Sequence, residues 1–495
     1  MYLLGYDIGS SSIKAALVEI DSGRTVAISQ YPASEMDIIA QQTGWAEQQP
    51  ELWWENVKQV TQKLLAASAI DAKLIKGIGI AYQMHGLVLV DKDHQVLRPS
   101  IIWCDSRAVQ IGDEAFEAIG KEKCLTHLLN SPGNFTASKL KWVKDNEPDI
   151  YEKIHKIMLP GDFIALKMTG KATTTVSGLS EGMLWDFKNE KIADLLLNHY
   201  GVELDFIPEI IDTFADQGKL TKEAAAFLGL QEDVSVGYRA GDQPNNALSL
   251  NVLKPGEIAA TGGTSGVVYG VVDQPMIDPK TRINSFAHVN HTKENPKIGV
   301  LLCVNGAGIQ YSWMKKMLAN DDTTYQEIEK IISTIPINAD GLMILPFGNG
   351  AERILENHNI GAHVINLQFN RHGKGHMYRA ALEGIAFSFI YGLEIMKEMG
   401  MKIDVIKVGN DNLFQSEIFS STISNILECE IEMYDTTGAV GAAKGAGVGC
   451  AFYQSFDAAF QKENPVKVYG YGNNKAEYVA GYQKWKTALE KNSSE

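Results

Sequence analysis

Asp7-Ile8-Gly9-Ser10-Ser11-Ser12-Ile13-Lys14-Ala15-Ala16-Leu17-Val18-Glu19 aligns without a gap on Thr261-Gly262-Gly263-Thr264-Ser265-Gly266-Val267-Val268-Tyr269-Gly270-Val271-Val272-Asp273, 254 residues further on. In the first copy a short apolar run, Tyr2–Tyr6, breaks at Asp7–Ser12, and Ile13, Ala15 and Leu17 then alternate with Lys14, Ala16 and Val18. That is strand, tight polar turn, strand. Asp21-Ser22-Gly23 turns the chain again into a strand over 25–29. Two such openings half a chain apart predict a duplicated protein with two domains. We place them at 1–250 and 251–495, with a boundary between 245 and 260. No Pro- or Ser-rich linker separates them, so the halves are expected to pack around a cleft.

Outward from the first copy, Trp53, Val57, Val60 and Leu64 recur at helical spacing behind Pro50, a residue suited to a first helical turn. Residues 75–81 read as a buried strand, and 87–90 with 96–102 as a hairpin about the turn at 91–94. The mixture predicts a layered α/β or α+β domain. At 495 residues the chain can bury several cores without a disulfide or metal staple. The five cysteines are odd in number and never form a CxxC pair, which argues against a secreted disulfide frame or a structural zinc site. Asp and Glu outnumber Lys and Arg by 60 to 45, a balance that disfavours nucleic acid and anionic membranes as partners. With no basic leader and no apolar run near the ~18 residues of a spanning helix, the expected location is cytoplasmic.

Chemistry is sought first in the two hydroxyl-rich glycine turns. A phosphate needs converging N–H donors, and only small residues let the backbone approach that closely. Either turn alone reads as an ordinary hairpin; one in each half could grip a phosphate chain from both sides. Asp7 beside the first suits the Mg²⁺ that accompanies ATP. Asp242, in Gly241-Asp242-Gln243-Pro244, reads first as a helix cap on pattern alone, and is also placed to accept a proton from a substrate hydroxyl. Gln83-Met84-His85-Gly86 ends a strand and Trp103-Cys104-Asp105-Ser106-Arg107 ends the hairpin, giving polar groups and an aromatic face of the kind sugars need. His85 alone reads as a core histidine. The strand 403–408 leads into Gly409-Asn410-Asp411-Asn412, with Asn412 and Gln415 spaced as a capping box. Gly438–Gly445 is either close helix packing or a flat wall for a base. No GxxxxGK[ST] and no GxGxxG occurs. Gly178-Leu179-Ser180-Glu181-Gly182 matches GxSxG but lacks a following helix, and His288/His291 and His372/His376 read as loop histidines.

Taken in order, these segments resemble the FGGY carbohydrate kinases over nearly the whole chain. The resemblance rests on Gly5–Lys14, Gly44–Gln48 before Trp53-Trp54, Gln83–Leu87, Trp103–Arg107, Ser138–Trp142, Gly241-Asp242, Gly263–Gly266 and Arg379–Gly384. Gln83-Met84-His85-Gly86 points to the xylulokinase branch rather than to glycerol kinase or ribulokinase. The resemblance implies an α/β fold of two actin-like (ribonuclease H-like) ATPase domains flanking a central cleft. It implies phosphorylation of D-xylulose to D-xylulose 5-phosphate by ATP with Mg²⁺, and a homodimer. Carried over by position, Asp242 is the catalytic acid and Asp7 the metal-side aspartate. Met84, His85, Trp103, Asp105, Asp242 and Gln243 contact the sugar. Gly9, Ser10, Ser11, Lys14, Gly263, Thr264, Ser265, Gly306, Gln310, Gly409, Asn410 and Asn412 contact the nucleotide, with Gly441–Lys444 also drawn into the adenine pocket.

Two departures stand out. Gln243-Pro244 follows the catalytic aspartate where xylulokinases carry Asn, and Asn410-Asp411-Asn412 follows a single Gly409 where consecutive glycines are usual. The alternatives are another ketose, polyol or sugar acid as acceptor (ribulose, fuculose, gluconate), an actin-like nucleotide switch, or a phosphatase on the same fold.

Overall fold

The strand Tyr2–Ile8 (β1) is apolar on both faces because it becomes the middle strand of a five-stranded sheet. The computed structural model describes residues 1–320, 322–460, 463–472 and 474–493. Ile13–Glu19 (β2) and Thr25–Tyr31 (β3) return antiparallel, while Ile75–Tyr82 (β4) and Ser235–Gly241 (β5) run parallel to β1. The sheet order is β5-β4-β1-β2-β3. The second half repeats this connectivity. Glu257–Gly262 (β6), Gly266–Val272 (β7), Asn284–Ala287 (β8), Ile298–Val304 (β9), Val405–Gly409 (β10), Glu430–Tyr434 (β11) and Lys467–Tyr469 (β12) form a sheet ordered β8-β9-β7-β6-β10-β11-β12. Its inner five strands are three antiparallel and two parallel, as in the first sheet, and β8 and β12 are additions at the edges. The duplication read from the two openings is therefore a duplication of the actin-like α/β fold.

The ungapped alignment holds for the first strand of each copy and slips by one in the second. Ile8 pairs with Ile13 across a four-residue turn, whereas Gly262 pairs with Gly266 across a three-residue turn. The helix behind Pro50 spans Pro50–Ser68 and buries Trp53, Val57, Val60 and Leu64, the stripe its spacing predicts. The expected hairpin after residue 87 is irregular: it closes through the bridges Leu87↔Ile101 and Val90↔Val96, and Val88–Val90 also pairs with Lys156–Met158.

Each sheet ends in a helix that faces the other half. Asp242–Ser249 follows β5 and Gly438–Gly449 follows β11. The second lies on the first sheet, so the C-terminal half completes the N-terminal core. A Cβ on Gly5 would overlap the carbonyl oxygen of Ala439, and one on Gly79 that of Ala442. Gly438–Gly445 is thus close helix–sheet packing. Gly441 through Lys444 are buried, and Lys444 is held by Glu463, so this segment forms no wall for a base. Ser180 of the GxSxG match is buried in the helix Val176–Glu181 and donates to the Ser177 carbonyl, which leaves no exposed nucleophile. His288 is buried between the Tyr269 hydroxyl and the Val252 carbonyl, and His376 lies not in a loop but in the helix Lys374–Glu398. Among the described residues no group of three or more His, Cys, Asp or Glu is arranged for a metal, and no helix is long and apolar enough to cross a membrane.

Gly79→Ala tests this packing. The methyl group meets backbone, which cannot rotate aside, so a loss of about 1–3 kcal/mol or more is expected as a lower denaturation midpoint with unchanged m-value.

Candidate active site

The carboxyl ends of β1, β4 and β5 lie side by side, the usual place for ligands in a parallel sheet. They deliver Asp7, Gln83-Met84-His85 and Asp242 respectively. Asp242 is the first residue of its helix; Gly241 occupies the cap position and no side chain caps the helix, so the capping alternative falls away. Burial, then the charge of Asp7, pushes the Asp242 carboxyl up to about 7, against hydrogen bonds from Gln243 that pull it down. Burial likewise raises Asp7, and Lys14, its partner across the β1–β2 ladder, pulls it back. Gln243 is therefore engaged with the Asp242 carboxylate itself. A Cβ on Gly438 would come within 2.6 Å of Asp7 Oδ2, so the amino end of the helix Gly438–Gly449 abuts this carboxylate. Asn245 Nδ2 donates to the Gly438 carbonyl at 2.9 Å and joins the two helices there.

His85 has a left-handed backbone, φ 62°, in the turn that follows β4. Its Nδ1 lies 3.0 Å from the Glu181 carbonyl oxygen, and Phe135 and Phe286 flank the ring at 4.8 and 5.6 Å. Burial, with Lys139 nearby, drives the imidazole down to about 3, so it is neutral. Met84 is buried and packs against Gly241, where a Cβ would sit 2.6 Å from its Cγ. Trp103 is 52% exposed, with its indole Nε1 3.3 Å from Ser10 Oγ, so it stands against the first glycine turn.

Asp105 requires a correction. It is fully buried, accepts from the Ala46 amide at 2.6 Å, and pairs with Arg107 through both oxygens, so it braces the loop and offers no oxygen to a ligand. Sequence reading passed over Lys139, although it lies in one of the quoted segments. Its buried ammonium donates to the His85 carbonyl at 2.8 Å and the Ile102 carbonyl at 3.0 Å, clamping the loops after residues 82 and 101 to one helix, and burial lowers it to about 7.

The first turn is closed by Gly9 N–H to the Ser12 carbonyl at 3.1 Å, with Ser11 and Lys14 exposed. In the second, the amides of Gly308 and Ile309 donate to the carbonyls of Gly263 and Thr264 at 3.0 Å each, tying the loop to the start of the helix Gly308–Leu318. Beyond it opens a cavity of about 690 Å³ lined in part by Gly263, Thr264, Tyr311, Tyr325, Asn410 and Asn412. Tyr311 and Tyr325 stack there at 5.6 Å, and Gln415 Nε2 donates to the Asn410 carbonyl. Neither tyrosine carried a sequence signal, being 14 residues apart on separate helices. Gly409 and Gln310 do not line the cavity. Gly306 is buried, packed against the Pro346 carbonyl, and its amide is taken by Glu352 at 3.0 Å, so it supports the loop from behind. The expected capping box at Asn412 and Gln415 is a 3₁₀ turn, and Ser416 caps the α-helix that follows, Glu417–Leu427.

With this geometry in place, comparison with known proteins is decisive. The N-terminal domain of the FGGY family of carbohydrate kinases matches residues 2–249 and its C-terminal domain residues 258–450. The chain belongs to the FGGY family. Among its relatives, a xylulose kinase of Bacillus subtilis (strain 168) is 30% identical, the match covering 92% of this chain and 90% of the relative. Ligand-bound xylulose kinase from Lactobacillus acidophilus superposes with a TM-score of 0.89 at 23% identity, covering 99% of this chain and 98% of that one. Gluconate kinase from Lactobacillus acidophilus does so at 0.88, also at 23% and with the same coverage. As an FGGY kinase the protein is a phosphotransferase that moves phosphate from ATP to a sugar hydroxyl.

The raised Asp242 carboxyl has a stability signature. Its folded value of about 7 exceeds the unfolded ~3.9, so the folded state holds this proton more tightly and loses stability as pH rises from about 4 to 7. Asp242→Asn removes that loss. Its melting temperature should exceed the parent's by several degrees at pH 8 and converge with it near pH 4 in thermal scans.

Proposed function

We propose that the acceptor is D-xylulose, phosphorylated at its terminal hydroxyl to D-xylulose 5-phosphate, with Asp242 orienting that hydroxyl and accepting its proton. The observation that carries this reading is the convergence of Asp7, Met84-His85 and Asp242 at three neighbouring strand ends, with the first glycine turn directly after Asp7. The names of relatives such as the Bacillus subtilis xylulose kinase favour a ketopentose. In this reading the sugar lies on the lobe drawn at 1–250, its C–H face on Trp103 and its hydroxyls toward His85, Asp242 and Gln243. ATP lies on the lobe drawn at 251–495, its adenosine in the cavity beside Tyr311 and Asn410, its phosphates between the turns at 9–12 and 263–265. Phosphoryl transfer needs positioning above all, because bond formation to the acceptor is late. A carboxyl near pH 7 is matched to take the hydroxyl proton as the bond forms.

The residues present also fit Mg²⁺. The charge of Asp7 raises the proton affinity of Asp242, a repulsion that a divalent cation relieves. Mg²⁺ commonly takes one or two carboxylates plus water and phosphate oxygens, so the lack of a third acid is no obstacle. When bound it would neutralise charge on the ATP phosphates; Asp7 would hold it, with Lys14 alongside. A homodimer acting in the cytoplasm completes the reading, and light scattering against the 54.4 kDa chain tests the dimer.

An ADP-release assay over D-xylulose, D-ribulose, L-fuculose, glycerol and gluconate tests the acceptor. The highest kcat/KM is expected for D-xylulose, and Asp242→Ala should lower kcat by about 10²–10⁴-fold with sugar KM changed far less. Preference for gluconate or glycerol, or near-normal turnover of the variant, contradicts the proposal.

A further inference from the structure

Behind the Met84-His85 segment lies a carboxyl that the reaction outlined above does not use. Glu181 ends the helix Val176–Glu181 and its side chain is 2% exposed. Neither of its oxygens has a hydrogen-bond partner. Oε2 stands 3.7 Å from His85 Nδ1, and a Cβ on Gly241, the residue before Asp242, would come within 3.1 Å of it. The side chain therefore underlies both halves of the acceptor site, one layer below the surface the sugar meets.

The groups facing it come from six elements. They are Tyr82 on β4, His85 in the loop after it, Lys139 on the helix Thr136–Asn146, Asp162 on the helix Pro160–Thr169, Asp242 at the start of its helix, and Tyr269 on β7. Lys139, the one cation among these groups, makes no ion pair with Glu181, and the neutral His85 ring approaches it at 3.7 Å. A carboxylate here would have only the Tyr82 hydroxyl and the His85 amide to turn to, neither in full hydrogen-bond geometry, whereas a carboxylic acid is far less costly to bury.

We propose that Glu181 is a positioning residue of the acceptor site: as an uncharged acid behind His85 it keeps the imidazole a neutral Nδ1–H donor to the Glu181 carbonyl, which leaves Nε2 to accept a hydrogen bond from a sugar hydroxyl. A charged Glu181 at 3.7 Å would instead favour the imidazolium, and both ring nitrogens would then be donors. The burial that pushes Glu181 well above the usual carboxylate range, offset by Tyr82 and reinforced by Asp242 and Asp162, acts in the same direction. So does the absence of charge on His85 itself, held down by burial and by Lys139. The ring thus presents an acceptor where Asp242 presents another. Two fixed acceptors select hydroxyl-bearing ligands and leave a carboxylate-bearing ligand without a donor at these positions.

This inference rests on the acceptor site of the proposed reaction, and its test separates the two. In the full-length protein, ¹⁵N NMR of the His85 ring at pH 7 should show the neutral Nδ1–H tautomer. Infrared difference spectra between the parent and Glu181→Gln should show one protonated-carboxyl band lost in the variant. An imidazolium at His85, or no such band, overturns the proposal whatever sugar is used. In kinetics with the best acceptor of the panel, Glu181→Ala should raise acceptor KM about tenfold or more while ATP KM stays within about twofold, and Glu181→Gln should restore acceptor KM to within about threefold. An unchanged acceptor KM in Glu181→Ala, or a Glu181→Gln as impaired as it, also overturns it. Should Glu181→Ala fail to fold, the spectra and the near-isosteric Glu181→Gln still decide. If D-xylulose is not phosphorylated, the substrate reading falls while the spectra test Glu181 unaltered.

Discussion

The two halves meet along a tight glycine–alanine seam. The helix Gly438–Gly449 can lie on the first sheet only because Gly5 and Gly79 have no side chain where the carbonyls of Ala439 and Ala442 pass. That approach sets where the helix begins, and it begins against Asp7. One turn along the neighbouring helix, Asn245 reaches the same point and binds the Gly438 carbonyl. A helix amino end carries partial positive charge, so a carboxylate beside it is favoured. The seam, the helix start and the two acids are thus one mechanical unit, made jointly by the N- and C-terminal halves.

Electrostatics is the cost of this arrangement. Burial raises both Asp7 and Asp242, the charge of Asp7 raises Asp242 further, and Lys14 and Gln243 offset this only in part. Beside them, Lys139 spends a buried ammonium on the His85 and Ile102 carbonyls. Around the acids, neutral acceptors are supplied where charge would be excessive. His85 is a neutral ring, and the cavity beyond the second glycine turn is lined by amides, hydroxyls and the Tyr311–Tyr325 pair rather than by a cluster of cations. A chain of net charge −15 can bind a polyanion this way because backbone N–H groups and helix ends do not enter the charge count.

Features set by local residue chemistry were legible in the chain. The glycine turns, the helix behind Pro50 and the strand ends bearing Asp7, Met84-His85 and Asp242 all follow from periodicity and turn residues. The duplication was legible too, to within the one residue by which the second turn is shorter. What was hidden depends on distance in space. That Asp105 is consumed by Arg107, that Gly306 is spent on Glu352, and that Gly438–Gly445 packs on a sheet begun more than four hundred residues earlier are facts of partnership. A motif gives residue type and order, but not which neighbour has already claimed a side chain. Lys139, Glu181, Tyr311 and Tyr325 went unassigned for the same reason.

The account turns on both glycine turns and Asp242 serving a single transfer event. A crystal structure with a non-hydrolysable ATP analogue, Mg²⁺ and D-xylulose examines this directly. The terminal phosphate is expected between residues 9–12 and 263–265, with the sugar's terminal oxygen hydrogen-bonded to Asp242 and about 3–3.5 Å from phosphorus. A terminal phosphate bound away from both turns, or an Asp242 carboxylate turned from the sugar in the closed complex, would contradict it.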